Sequence, residues 1–122
     1  MRDEGITERI IAAAIEVHRN LGPGLLESAY EECLCRELVQ AGICFERQRE
    51  LPVIYKGLAV NRTFRMDLII GGEVKVEIKA VEALLKVHEA QLLTYMKLSG
   101  IGIGLLNFNV PMMRDGIRRF VR

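Results

Sequence analysis

A chain of 122 residues, half of them hydrophobic and 27% charged, is long enough to bury a core and reads as one domain, neither disordered nor collagen-like nor stapled by disulfides. The longest apolar runs, residues 10–15 and 101–106, fall far short of the ~20 residues that cross a bilayer, and the start Met1-Arg2-Asp3-Glu4 carries no apolar leader, so a cytoplasmic protein with no membrane partner is expected. A net charge of +1 supplies no general basic excess, so any grip on nucleic acid must come from local charge.

Apolar positions Ile10, Ile11, Ala14, Val17, His18 and Leu21 recur at helical spacing, predicting a helix over 6–21 with Thr7 or Asp3 as N-cap. Gly22-Pro23-Gly24 cannot continue it, and a second helix is predicted over 25–40, with Leu26, Tyr30, Cys33, Leu34, Leu38 and Ala41 on one arc. The period then changes. Residues 45–55 read as a strand in which Pro52 marks an edge or a bulge, Lys56-Gly57 as a turn, and 64–70 and 74–80 as two alternating strands joined through Gly71-Gly72. Helical period returns over 84–99, followed by Gly100, a short apolar strand over 101–109 and a basic tail, 114–122, predicted to have helical character. The order ααβββαβ predicts a single α/β domain over 1–122, a mixed central sheet flanked by helices.

Cys33, Cys35 and Cys44 contain no C-x-x-C pair, and with His18 and His88 the only histidines, a Cys/His metal site is not expected. The acids are more informative. In the second strand Phe64, Met66, Leu68 and Ile70 are expected to share one face; in the third, Val74, Val76 and Ile78 oppose Lys75, Glu77 and Lys79. If the apolar sides line one core, Asp67, Glu77 and Lys79 project together from the other side. A two-residue Gly71-Gly72 turn would pair Met66 with Glu77 and break this match, so an odd-length connection, Gly71-Gly72-Glu73, or a bulge is predicted. Two directly opposed carboxylates repel at about 5 Å, and something positive must lie between them. It is either an ion-pair ladder with Arg65, Lys75 and Lys79, or a hard divalent cation held by oxygen ligands.

On the third helix Gln91 is expected at the centre of an arc with Leu84, Val87, Tyr95 and Leu98, either bonded to a strand or facing a site. His88 reads as a core or interface residue. On the second helix Glu27 stands near the N-terminus, where a carboxylate suits capping or ligation. Gly22 and Gly24 form no phosphate loop, because no G-x-x-x-x-G-K is present.

Gly24-Leu25-Leu26-Glu27-Ser28-Ala29-Tyr30 resembles the defining pattern of the GxxExxY family, preceded by His18-Arg19-Asn20-Leu21-Gly22-Pro23. The similarity continues through Phe64-Arg65-Met66-Asp67, Val76-Glu77-Ile78-Lys79-Ala80, His88-Glu89-Ala90-Gln91-Leu92-Leu93-Thr94-Tyr95 and Asn107-Phe108-Asn109-Val110-Pro111. That family is placed in the PD-(D/E)xK nuclease superfamily, so the resemblance implies a restriction-endonuclease-like αβββαβ core with an additional N-terminal helix. It makes Asp67 the motif aspartate, with Met66 where the superfamily name has proline, Glu77 the second acid and Lys79 the motif lysine. Glu27 matches the acid contributed from the helix before the sheet, and Gln91 with Tyr95 resembles a Q-x-x-x-Y helix. The implied function is Mg2+-dependent hydrolysis of nucleic acid, DNA for preference, with Mn2+ as a substitute. Glu27, Asp67, Glu77 and the Ile78 carbonyl would hold the metal; Lys79 and Gln91 would assist catalysis, and Tyr30, Arg65 and Tyr95 would contact substrate. Arg47, Arg49, Lys56, Arg62, Arg114, Arg118, Arg119 and Arg122 are candidate phosphate contacts. A homodimer would supply two sites for a duplex. The alternative is a catalytically silent, nuclease-like nucleic-acid-binding or regulatory protein.

Overall fold

The computed structural model describes residues 4–72, 74–99 and 103–120. Two helices, α1 (Glu4–Leu21) and α2 (Glu27–Gln40), precede three strands, β1 (Phe45–Tyr55), β2 (Leu58–Ile70) and β3 (Val74–Lys79). Then come α3 (Lys86–Ser99), β4 (Ile103–Asn107), a 3-10 turn (Met113–Gly116) and β5 (Ile117–Phe120). The strands lie in the order β1-β2-β3-β4-β5. All neighbours are antiparallel except β3 and β4, whose parallel pairing requires the crossover that α3 provides.

The sheet is covered on both faces. Ile10, Ala14 and Val17 of α1 and Tyr30, Leu34 and Leu38 of α2 pack on Leu68, Ile70, Val76, Ile78 and Leu106. A smaller cluster forms on the opposite face, where Leu92 of α3 meets Phe64, Met66, Ile69 and Leu105. Each fully buried side chain of this kind stabilises the fold by about 1.5–3 kcal/mol before entropy is counted.

These clusters correct one expectation. Phe64, Met66, Leu68 and Ile70 do not share a face: the first two lie under α3 and the last two under α1 and α2. Strand β1 exchanges faces as well, with Phe45 against the first cluster and Leu51 and Val53 against the second. Both exchanges occur at one level. Arg47 pairs with Leu68 and Arg49 with Met66, while the ladder is interrupted at Gln48 and Asp67 between them. Gln48 has φ +52°, a left-handed conformation that rotates the strand and reverses the sense of its alternation.

Elsewhere the turn chemistry is as expected. Lys56 and Gly57 both have positive φ and close a two-residue hairpin that pairs Tyr55 with Leu58, so β2 begins well before residue 64. Pro52 sits on an edge strand, and the register shifts between Pro52 and Ile54. Helix α1 begins at Glu4, which places Thr7 inside it; Asp3 and Gly100 lie outside the described residues. The basic tail is helical only at its start, where residues 114–116 belong to the 3-10 turn; from Ile117 to Phe120 it is a strand. Ile117 and Phe120 contact opposite clusters, which a strand's two-residue period allows and a helix would not, and the segment pairs with β4 as β5.

Candidate active site

Strands β2 and β3 pair Ile70 with Val74, Ile69 with Lys75 and Leu68 with Val76. The connection is therefore of odd length, and the same register carried one step further brings Asp67 level with Glu77. Beyond this point the strands fork: β3 continues along β4 as far as Lys79 opposite Asn107, while β2 continues along β1. The Ile78 N–H, left without a β2 carbonyl, donates instead to Asp67 Oδ2 at 2.8 Å. The face exchange and the fork thus meet at Asp67, whose carboxylate fills a hydrogen-bonding position of the sheet.

Glu77 is 8% exposed, and its Oε1 is buried with no hydrogen-bond partner among the described residues. Burial, and then the neighbouring Asp67 carboxylate, push its pKa up to about 7; Lys79 and the Asp67 backbone amide pull it down and Glu27 adds a smaller upward push. Asp67 is raised as well. Burial is the main cause, opposed first by the Ile78 N–H; Glu31 pushes it up, while Gln48 and Lys79 draw it down. A buried carboxylate with an unpaired oxygen beside a half-buried one is costly to keep ionised unless a cation joins them. The donor set, hard oxygens with an orphaned lone pair, fits a divalent ion of the Mg2+ class held through Asp67 and Glu77 with water completing its shell. No group of three or more His, Cys, Asp or Glu side chains is gathered for a metal among the described residues, so a preformed three-acid cage including Glu27 is absent.

Glu27 opens α2, exposed, and its charge reaches Glu77 across the gap. The turn before it has a clear construction. Gly24 has φ +106°, which side chains rarely adopt, and the Tyr30 hydroxyl donates to the Gly22 carbonyl (2.7 Å) while accepting from the Leu25 N–H (3.1 Å). Tyr30 is 0% exposed and stacks on Phe108 at 4.6 Å, so it has no surface to offer a substrate; it ties down the turn from which Glu27 projects.

On α3 the buried centre is Leu92 rather than Gln91, and Val87 is exposed. Gln91 stands at the rim, bonded to Tyr95, whose ring stacks on Phe64 at 4.6 Å. The Tyr95 hydroxyl pKa is raised by burial and then by Glu77 and Asp67, so this helix faces the same acids. Arg65 is exposed on β2, opposite Glu50. His88 is half-buried rather than core: its Nδ1 accepts the Leu85 N–H and closes the first turn of α3, while His18 is buried and donates from Nε2 to the Val110 carbonyl at 2.7 Å. Arg47, Arg49 and Arg118 are engaged by Glu31, Glu46 and Glu89, Lys56 lies over the Tyr55 ring, Arg62 donates to the Asn61 carbonyl, and Arg122 lies outside the described residues. Arg114 and Arg119 are exposed.

Two neighbours of the site carried no sequence signal that singled them out. Glu31, one helical turn beyond Glu27, is buried and pairs with Arg47 at 3.0 Å. Gln48 donates to Glu31 Oε1 at 2.9 Å and to Asp67 Oδ1 at 3.3 Å. The i, i+4 spacing of Glu27 and Glu31 was the available hint for the first.

A family model of the PD-(D/E)XK nuclease superfamily matches residues 4–120, and the chain belongs to that superfamily. No curated protein and no solved structure shows a significant match. Membership carries a restriction-endonuclease-like fold, with which the five-stranded mixed sheet and three helices agree, and a nuclease-like function; enzymes of this superfamily generally use divalent metals. No helix among the described residues is long and apolar enough to cross a membrane.

Proposed function

We propose that this chain is a divalent-metal-dependent nuclease of the GxxExxY group that hydrolyses phosphodiester bonds of DNA. The observation that carries the reading is the unpartnered, buried Glu77 oxygen beside Asp67, with Lys79 two residues along the same strand. Asp67, Glu77 and the Ile78 carbonyl would hold Mg2+, or Mn2+ in its place, and Glu27 would act from the mouth of the site through water. A bound ion there supplies positive charge against a phosphate and makes water easier to deprotonate. Lys79 orients the attacking water and offsets charge developing on the phosphate, Gln91 orients substrate, and Arg65 and Tyr95 contact it. Hydrolysis adds the elements of water across one P–O bond, leaving a phosphate monoester and a hydroxyl. The three unpaired thiols, Cys33, Cys35 and Cys44, suit a reducing cytoplasm, and a second copy would supply the other site needed to cut both strands of a duplex.

The test is hydrolysis of single-stranded, duplex and branched DNA with Mg2+ by the wild type, Asp67→Ala and Lys79→Ala. Activity that falls at least a hundredfold in both variants, with unfolding still cooperative, supports the reading; equal activity in all three rejects it. The exposed position of Glu27, at the start of α2 and across the gap from the Asp67–Glu77 pair, favours one rival, a nuclease-like protein that binds nucleic acid without cutting it. DNA binding by a wild type that neither binds Mn2+ nor cleaves would establish that rival.

A further inference from the structure

The proposed function leaves the interruption at Gln48 without a purpose. A glutamine at φ +52° is unusual, because the left-handed region favours glycine and, among other residues, asparagine and aspartate. The conformation takes Gln48 out of the ladder opposite Asp67 and turns its side chain toward α2. There one amide nitrogen serves two acids, Glu31 Oε1 at 2.9 Å and Asp67 Oδ1 at 3.3 Å. Glu31 is itself fixed, because its other oxygen accepts from Arg47 Nε at 3.0 Å and its side chain is buried. The result is a chain of contacts from Arg47 through Glu31 and Gln48 to Asp67, while Asp67 Oδ2 is held from the other side by the Ile78 N–H at 2.8 Å. A carboxylate gripped at both oxygens cannot rotate freely, and a primary amide suits the bridge since it offers two hydrogens and no charge.

We propose that Gln48 is a positioning residue, anchored on the Glu31–Arg47 pair, that fixes the Asp67 carboxylate in the orientation a divalent cation requires. This inference rests on the metal-dependent reading above and goes beyond it by assigning a task to three residues that need not touch the ion. Supporting contacts of this kind are typically worth 10–100-fold in metal affinity.

Glycine separates the side chain from the backbone. Gln48→Gly keeps, and relaxes, the left-handed conformation while deleting the amide, so the backbone gain offsets part of the lost hydrogen bonds and the variant is expected to fold and to unfold cooperatively. Gln48→Glu keeps the length but replaces donors with a third carboxylate. Calorimetric titration with Mn2+ is expected to show binding weakened 10–100-fold in Gln48→Gly and at least as much in Gln48→Glu. In DNA hydrolysis the apparent KM for Mn2+ should rise by a similar factor, with kcat at saturating Mn2+ within a few-fold of wild type. Unchanged Mn2+ affinity in Gln48→Gly, beside a wild type that binds the ion, overturns the positioning role and leaves the proposed function standing. Loss of cooperative unfolding in Gln48→Gly would make the residue a folding element and also overturn it. A wild type that binds no Mn2+ overturns the metal reading and this inference together.

Discussion

Glu77 makes a pH prediction whose sign follows from its surroundings. Its pKa stands at about 7 in the folded protein against an ordinary value of 4.5, so the folded state holds the proton more tightly than the unfolded chain. The stabilisation from this group is complete below about pH 4.5 and is lost as the pH rises toward 7 and beyond, a difference on the order of 3 kcal/mol for a shift of this size. In metal-free protein, Glu77→Gln should therefore raise the unfolding temperature at pH 8 and leave it little changed at pH 4.5. Scanning calorimetry at both values checks this, and a variant less stable than wild type at pH 8 would contradict it. Added Mn2+ should stabilise the wild type at pH 8, where both acids are open to it, through binding to the folded state alone. Tyr30→Phe tests the motif turn: with its bonds to Gly22 and Leu25 removed, urea unfolding should register a loss of about 1–3 kcal/mol.

The strands fork, and something must hold the far arm. Beyond Lys79 the chain enters the loop to α3, and buried Asn107 pins it by accepting from the Val81 N–H (3.1 Å) and donating to the Val81 carbonyl (3.0 Å). Asn107→Leu strands both backbone groups, and a loss of about 2–4 kcal/mol is expected in denaturant unfolding. Much of this arrangement was legible in the sequence. Matching the apolar sides of β2 and β3 called for an odd-length connection or a bulge, since a two-residue turn would have matched Met66 to Glu77, and the observed register agrees; Lys56-Gly57 announced its hairpin. The face exchange was not legible. It depends on a left-handed glutamine, and no residue type marks such a position in advance, so strict alternation carried Phe64 and Met66 to the wrong layer. The tail was legible only in part for a different reason: its first residues do form a 3-10 turn, but the open edge of β4 draws residues 117–120 into a strand. Gln91 lay one position from the true centre of its helix, which is the fully buried Leu92.

The molecule as a whole is close to electroneutral, with a net charge of +1, and several of its arginines are occupied by acids of their own chain. Substrate attraction is therefore local. If nucleic acid engages few phosphates, the logarithm of its affinity should fall with that of salt at a slope of only a few, far below that of strongly basic DNA-binding proteins; a steep slope would reveal a wider basic footprint. The two helical layers meet through one sheet, and the acids sit where that sheet splits and its strands trade faces. The most direct measurement is anomalous diffraction from a crystal soaked in Mn2+ at pH 8. A single strong peak is expected between the Asp67 and Glu77 carboxylates, disappearing in Glu77→Gln; a fully soaked crystal with no density there, or with manganese bound only elsewhere, would rule out a metal centre on these two acids.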